Sequence, residues 1–264
     1  MKYILSGMLL TTFALPVQAQ EAEDTAARGA EIAREAEARD QGWGDSRVEL
    51  TMILQDRKGR TRERKLNTST LEVTDDKLGD KSLVIFDTPA DMKGTILLSH
   101  AKIGDDDDQW LFLPALKRVK RISSSNKTGA FFGSEFSYED ITAQEFGKYS
   151  YKYAGQKPCG ELTCFVVERR PTYRNSGYSV LITHYDTEEY RPQIIEYIDT
   201  KDRPFKQLKL TDYQKYQDKF WRAQTLTMKN LKTGKTSILK YGPYEFGTGL
   251  KDNYFTKGNL RNIR

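Results

Sequence analysis

What most constrains this chain is an apolar rhythm of period two that restarts repeatedly between Arg47 and Tyr241. Val48, Leu50, Met52 and Leu54 alternate with Glu49 and Thr51, and Asp56-Arg57-Lys58-Gly59 then turns the chain back into a charged segment from Arg60 to Leu71. Side chains two residues apart in a strand share a face, so this pattern predicts a hairpin with one face inward. Similar segments follow at Leu83 to Phe86, Thr95 to Ser99, Cys164 to Arg170, Tyr178 to Tyr185, Phe205 to Tyr213 and Trp221 to Lys229. Leu208 and Leu210, and Leu226 and Met228, keep the same beat. About ten or eleven strands at regular spacing, joined by short turns, predict a mainly β chain built on one large antiparallel sheet that curls. No repeat or low-complexity linker divides it, so residues 20 to 264 are expected to form a single domain.

The N-terminal segment follows other rules. Lys2, an apolar run from Tyr3 to Val17 and the small-residue site Val17-Gln18-Ala19 have the pattern of a signal peptide over residues 1 to 19. The run is shorter than the roughly 20 residues that span a bilayer, and no cysteine follows the cleavage site to carry a lipid. Glu21 to Asp40 is rich in alanine and charge, which predicts one helix with Ala22, Ala26, Ala30, Ala33 and Glu37 on one stripe, ended at Gly42. A net charge of +5 is too small to argue for nucleic acid, and export argues further against it.

Between Gln109 and Asp140 three kinds of chemistry sit side by side. Trp110-Leu111-Phe112-Leu113 is apolar throughout and would be dry on both faces as a strand. Lys117, Arg118, Lys120 and Arg121 follow at once, where a head group, an acidic lipid surface or an acidic partner could be met. Gly129-Ala130-Phe131-Phe132-Gly133 places aromatic rings between glycines and predicts a loop that acts as a lid, and Glu139 to Phe146 predicts a short helix. Asp105 to Asp108 lacks the ligand spacing of a calcium loop and predicts a solvated turn.

Cys159 and Cys164, the only cysteines, flank Gly160-Glu161-Leu162-Thr163 and predict a disulfide across a hairpin end, with a stabilisation of about 2 kcal/mol. His100 and His184, the only histidines, fall inside strand patterns, away from any metal-binding or nucleophile-elbow spacing. No catalytic pair, metal site or cofactor motif is selected, so an enzyme is not expected.

WLFLPALKRVKRI followed by GAFFGSEFSYEDI resembles the signature of bacterial outer-membrane lipoprotein-sorting proteins, relatives of the periplasmic lipoprotein carrier LolA. DQGWGDSRVELTMILQDRKGRTRERKL, FDTPADMKGTILLSH and EYRPQIIEYIDTKDRPFKQLKLTDY extend the likeness over nearly all of the mature chain. The resemblance implies an unclosed half β-barrel with helices over its open side, a soluble periplasmic location, and lipid or acylated lipoprotein as cargo. It further implies an inner-membrane transporter of the resistance-nodulation-division (RND) type as partner, with transient contact to a membrane surface. Leu50, Met52, Leu54, Trp110, Phe112, Phe131, Phe132 and Phe136 are then the expected cargo contacts, and Lys117, Arg118, Lys120 and Arg121 the expected head-group or partner contacts. The alternative is a sensor or adaptor that uses the same fold to bind and regulate another protein.

Overall fold

The computed structural model describes residues 17–263, so the expected leader lies outside the described residues except for its last three, which begin α1 (Val17–Arg39). Six strands then form one antiparallel meander: β1 (Asp45–Gln55), β2 (Thr61–Leu71), β3 (Leu78–Thr88), β4 (Ile96–Lys102), β5 (Asp108–Leu113) and β6 (Arg118–Arg121). Seven more form a second: β7 (Tyr149–Cys159), β8 (Leu162–Pro171), β9 (Tyr178–Asp186), β10 (Pro192–Asp199), β11 (Pro204–Tyr216), β12 (Phe220–Asn230) and β13 (Thr236–Tyr241). β1 pairs with β13, Met52 standing opposite Leu239, and this single seam joins the two meanders. The short β14 (Glu245–Phe246) pairs with the start of β1 and completes one 14-stranded sheet. Its outermost strands, β6 and β7, do not pair with each other, so the sheet is not closed into a barrel.

The strand count exceeds the ten or eleven expected because β6 is mostly charged and β14 has only two residues, and neither carries an apolar beat. The second expected helix is absent. Glu139–Ile141 and Phe146–Lys148 are separate 3-10 turns, and Glu139, which a surface helix would turn to solvent, is buried. α1 is thus the only α-helix among the described residues.

Register carries one apolar face across the sheet. Ile195 faces Leu208, Leu208 faces Met228, Leu226 faces Leu239, Leu50 faces Leu66 and Leu66 faces Phe86. Two pieces of chain lie on this inner face. One is α1, whose Ile32 packs with Phe165, Val167 and Tyr185. The helix comes so close to β7 that a Cβ on Gly29 would stand 2.7 Å from the Lys152 carbonyl carbon, so glycine is required there. The buried stripe is therefore Gly29, Ile32 and Ala33, whereas Ala22 and Ala26 of the expected stripe are exposed. The other piece is segment 122–148, which must run from edge strand β6 to edge strand β7 and crosses the inner face to do so.

The outer face of β3 to β6 is covered by the C-terminal segment, where Leu250, Phe255 and Leu260 pack with Leu83, Ile96 and Leu98. At the far end of the β7–β8 hairpin Cys159 and Cys164 form the expected disulfide, their Cα atoms 5.9 Å apart. Among the described residues no helix is long and apolar enough to cross a membrane.

Candidate functional site

Segment 122–148 is a bolted plug, not a loose flap. Phe131 and Phe136 are buried, the Phe131 N–H donates to the Phe136 carbonyl at 2.7 Å, and Ala130 bridges to Ser137. The Phe131 ring lies 5.7 Å from Phe86 of β3 and edge-on to Tyr138 at 5.6 Å. On the opposite meander, Asn230 donates to the Glu135 carboxylate at 2.7 Å and Ser237 accepts from the Glu135 N–H at 2.9 Å. The sheet is therefore wound around this segment, which touches β3 on one side and β12 and β13 on the other.

Two buried ion pairs fix the plug. Lys206 of β11 pairs with Asp140 inside a cage formed by the Tyr178 and Tyr197 rings, each 5.1 Å from the ammonium. Lys148 reaches both oxygens of Asp107 at 2.8 Å. Losing one partner of such a pair leaves an uncompensated buried charge, a cost of about 3–5 kcal/mol. Asp107 thus corrects the expectation of a solvated acidic turn. Of its neighbours, Asp106 holds Asn175, and Asp108 pairs with Lys102 and Arg121. Glu139 accepts from Tyr173, Ser176 and Gly177, and burial nevertheless pushes its carboxyl above the usual range.

The plug does not fill the space beneath it. Between it and the sheet is a cavity of about 330 Å³ whose walls include Val48, Leu50, Met52, Leu66, Val84, Leu208, Leu226 and Leu239, with Phe131 and Phe136 opposite. A second hollow of about 870 Å³ adjoins it under α1 and shares Tyr197, Leu208, Leu226, Tyr241 and Tyr244 with it. Concave, mostly apolar hollows of this size are where small amphiphiles bind. The polar side of the larger hollow carries Asp80 and Glu145. Burial and the neighbouring Glu145 charge push the Asp80 carboxyl up to about 8, and burial raises Glu145 as well.

The residues singled out in the sequence divide into four groups. Leu50, Met52, Phe131 and Phe136 come together on the cavity wall. Leu54 and Phe132 pack at the margin of the same cluster, and Phe132 adopts a left-handed backbone with φ of 47° while Arg64 donates to its carbonyl. Trp110 and Phe112 are corrected. Register places Trp110 opposite Leu98 and Phe112 opposite Ile96, on the outer face under the C-terminal segment, so they do not line the cavity. Lys117, Arg118, Lys120 and Arg121 are exposed at the edge of the sheet, where charge also discourages strand addition by another chain. Leu116 beside them is 62% exposed.

Sequence reasoning missed Arg169, Lys206 and Lys148, all buried. The signal was present for two of them. Arg169 continues the parity of Phe165 and Val167, and Lys206 that of Leu208 and Leu210, so each puts a charge on a face otherwise apolar. Both histidines have partners: His100 bonds to the Phe255 carbonyl and stacks edge-on to Trp110, and His184 contacts Glu196. Among the described residues no group of His, Cys, Asp and Glu is placed to hold a metal ion.

A family model described only as an uncharacterized protein matches residues 79–262. No curated protein matches the chain. Among solved structures, an outer membrane lipoprotein-sorting protein domain from Vibrio parahaemolyticus is 44% identical, with a TM-score of 0.86 over 89% of this chain and 99% of that one. A DUF1329 family protein from Desulfovibrio piger is 28% identical, with a TM-score of 0.83 over 89% of this chain and 99% of the other. A LolA superfamily protein from Nitrosomonas europaea, 19% identical over 89% of this chain and 98% of that one, shares the fold with a TM-score of 0.70. The open 14-stranded sheet shares its fold with the LolA superfamily protein, and the 44% identity over nearly the whole described length settles the family: this chain belongs to the outer-membrane lipoprotein-sorting proteins.

Proposed function

We propose that the protein is a periplasmic carrier that holds the acyl chains of a lipid or lipoprotein in the inner-face cavity and moves them from the inner toward the outer membrane. The observation that carries this reading is the apolar space left between the plug and the sheet, walled by Leu50, Met52, Leu66, Leu208, Leu226 and Leu239. An acyl chain in water exposes roughly 0.8 kcal/mol per methylene, so a cargo with two or three chains needs shelter worth on the order of 20 kcal/mol or more. Met52 on the wall suits it to chains of irregular shape.

In this reading residues 1 to 19 are a signal peptide, residues 20 to 264 are the binding domain, and no catalytic step is required. Leu50, Met52, Phe131 and Phe136 touch cargo, with Leu54 and Phe132 at the margin. The exposed Leu116, together with Lys117, Arg118, Lys120 and Arg121, meets an anionic membrane surface or an RND-type transporter during transfer. Native mass spectrometry of the mature protein, purified gently from its own periplasm, tests the reading when followed by organic extraction. A stoichiometric lipid or acylated lipoprotein is expected. A clean unliganded mass with a protein partner still attached would replace the carrier with a sensor or adaptor.

A further inference from the structure

The two buried lysines beside the plug each have an aspartate, but Arg169 has no such partner. It is 5% exposed, and its Nε and Nη2 are wholly buried without a hydrogen-bond acceptor. No carboxylate pairs with it among the described residues. The face of the Tyr149 ring lies 4.9 Å from its Cζ. Thr183, 1% exposed, also has a buried hydroxyl without a partner. β8 and β9 pair Val167 with Thr183 and Arg169 with Leu181, so Arg169 and Thr183 are diagonal neighbours on the inner face, within reach of one another's ligands. Both line the larger hollow, which also presents Ile195, Leu208, Leu210 and Leu226. Lys127 is another buried cation lacking a hydrogen bond, but it lines neither hollow and stands in the field of Asp106, Asp107 and Asp108.

We propose that Arg169 and Thr183 form an anion receptor in the cavity wall, which takes the carboxylate or phosphate of an amphiphile whose tail lies along the leucines. The guanidinium fork matches either group with two parallel hydrogen bonds, and the Thr183 hydroxyl adds a third donor. Arginine stays charged at any working pH, so the anion compensates a cation that the protein itself leaves buried and unpaired. The tail's place rests on the carrier reading, and the receptor does not.

The test uses delipidated mature protein with three probes: palmitate, palmitoyl lysophosphatidic acid and hexadecanol. Wild type is expected to bind at least one of the two acids about ten-fold or more tighter than the alcohol, and the tighter acid identifies the head group. Arg169→Met should lose that preference, still bind hexadecanol, and melt no lower than wild type when unliganded, because an uncompensated charge has gone. Thr183→Val, nearly the same shape, should weaken the acids alone by about three-fold, and it serves if Arg169→Met fails to fold. Equal binding of alcohol and acids by wild type overturns the receptor and leaves the carrier standing, as does an acid preference that survives Arg169→Met. If no probe binds wild type, both fail.

Discussion

The two faces of this sheet are covered in different ways, and the difference separates a packed patch from one that keeps open space. Under the C-terminal segment, Phe255 and Leu260 are fully buried against Leu83, Ile96 and Leu98, and this outer patch is sealed by the chain's own end. Across the inner face runs a segment held by polar bolts at Glu135, Glu139 and Asp140 as well as by the rings of Phe131, Phe132, Phe136, Tyr138 and Phe146. Hydrogen bonds and ion pairs position a segment at a fixed height, whereas apolar packing pulls surfaces together until the space is filled. The outer cover therefore makes a core, and the inner cover makes a roof with room beneath it.

Three experiments act on that contrast, in order of expected effect on stability. Phe255→Ala should cost about 3–5 kcal/mol in urea unfolding while the folded fraction keeps its lipid. A loss of lipid at unchanged stability would erase the distinction between the faces. The second concerns the acids of the larger hollow. The Asp80 carboxyl, lifted to about 8 from an ordinary 3.8, keeps a proton in the folded state that the unfolded chain releases. Stability from this group is therefore fully present only at low pH and declines as pH rises from about 4 through about 8, by less than about 1.4 kcal/mol per unit. Asp80→Asn should flatten that slope between pH 5 and 8, and an unchanged slope would remove Asp80 from the account.

The smallest expected change in stability accompanies the largest in binding. Leu226→Trp places bulk into open space, so it should cost under about 1 kcal/mol where overpacking a filled core costs about 1–3. Its co-purifying lipid should fall sharply by mass spectrometry. If lipid persists at wild-type level, the space beside Leu226 is not where the chains lie.

Much of this was legible in the residues. Alternation at Leu50 and Met52, at Leu208 and Leu210, and at Leu226 and Met228 identified residues that share a face, and all six do. The cysteine spacing gave the disulfide, and the family motif gave an open curved sheet. Period two, however, divides a strand into two sets without saying which set faces which layer. Trp110 and Phe112 carry the same apolar chemistry as Leu111 and Leu113, and only pairing of Trp110 with Leu98 placed them under the C-terminal segment.

The strand edges and the plug depended on contacts too distant for any local pattern to hold. Asp107 and Lys148 meet across the length of the plug, and Lys206 finds Asp140 from a strand far along the chain. Sequence by itself determined the sheet, its strand parity and its hairpin disulfide, because these depend on neighbours two to a few residues apart. Tertiary structure alone decided which face became a core and which kept a cavity. That choice depends on where segment 122–148 and the C-terminal segment settle, which is set by pairing of charges and rings brought together only when the sheet curls.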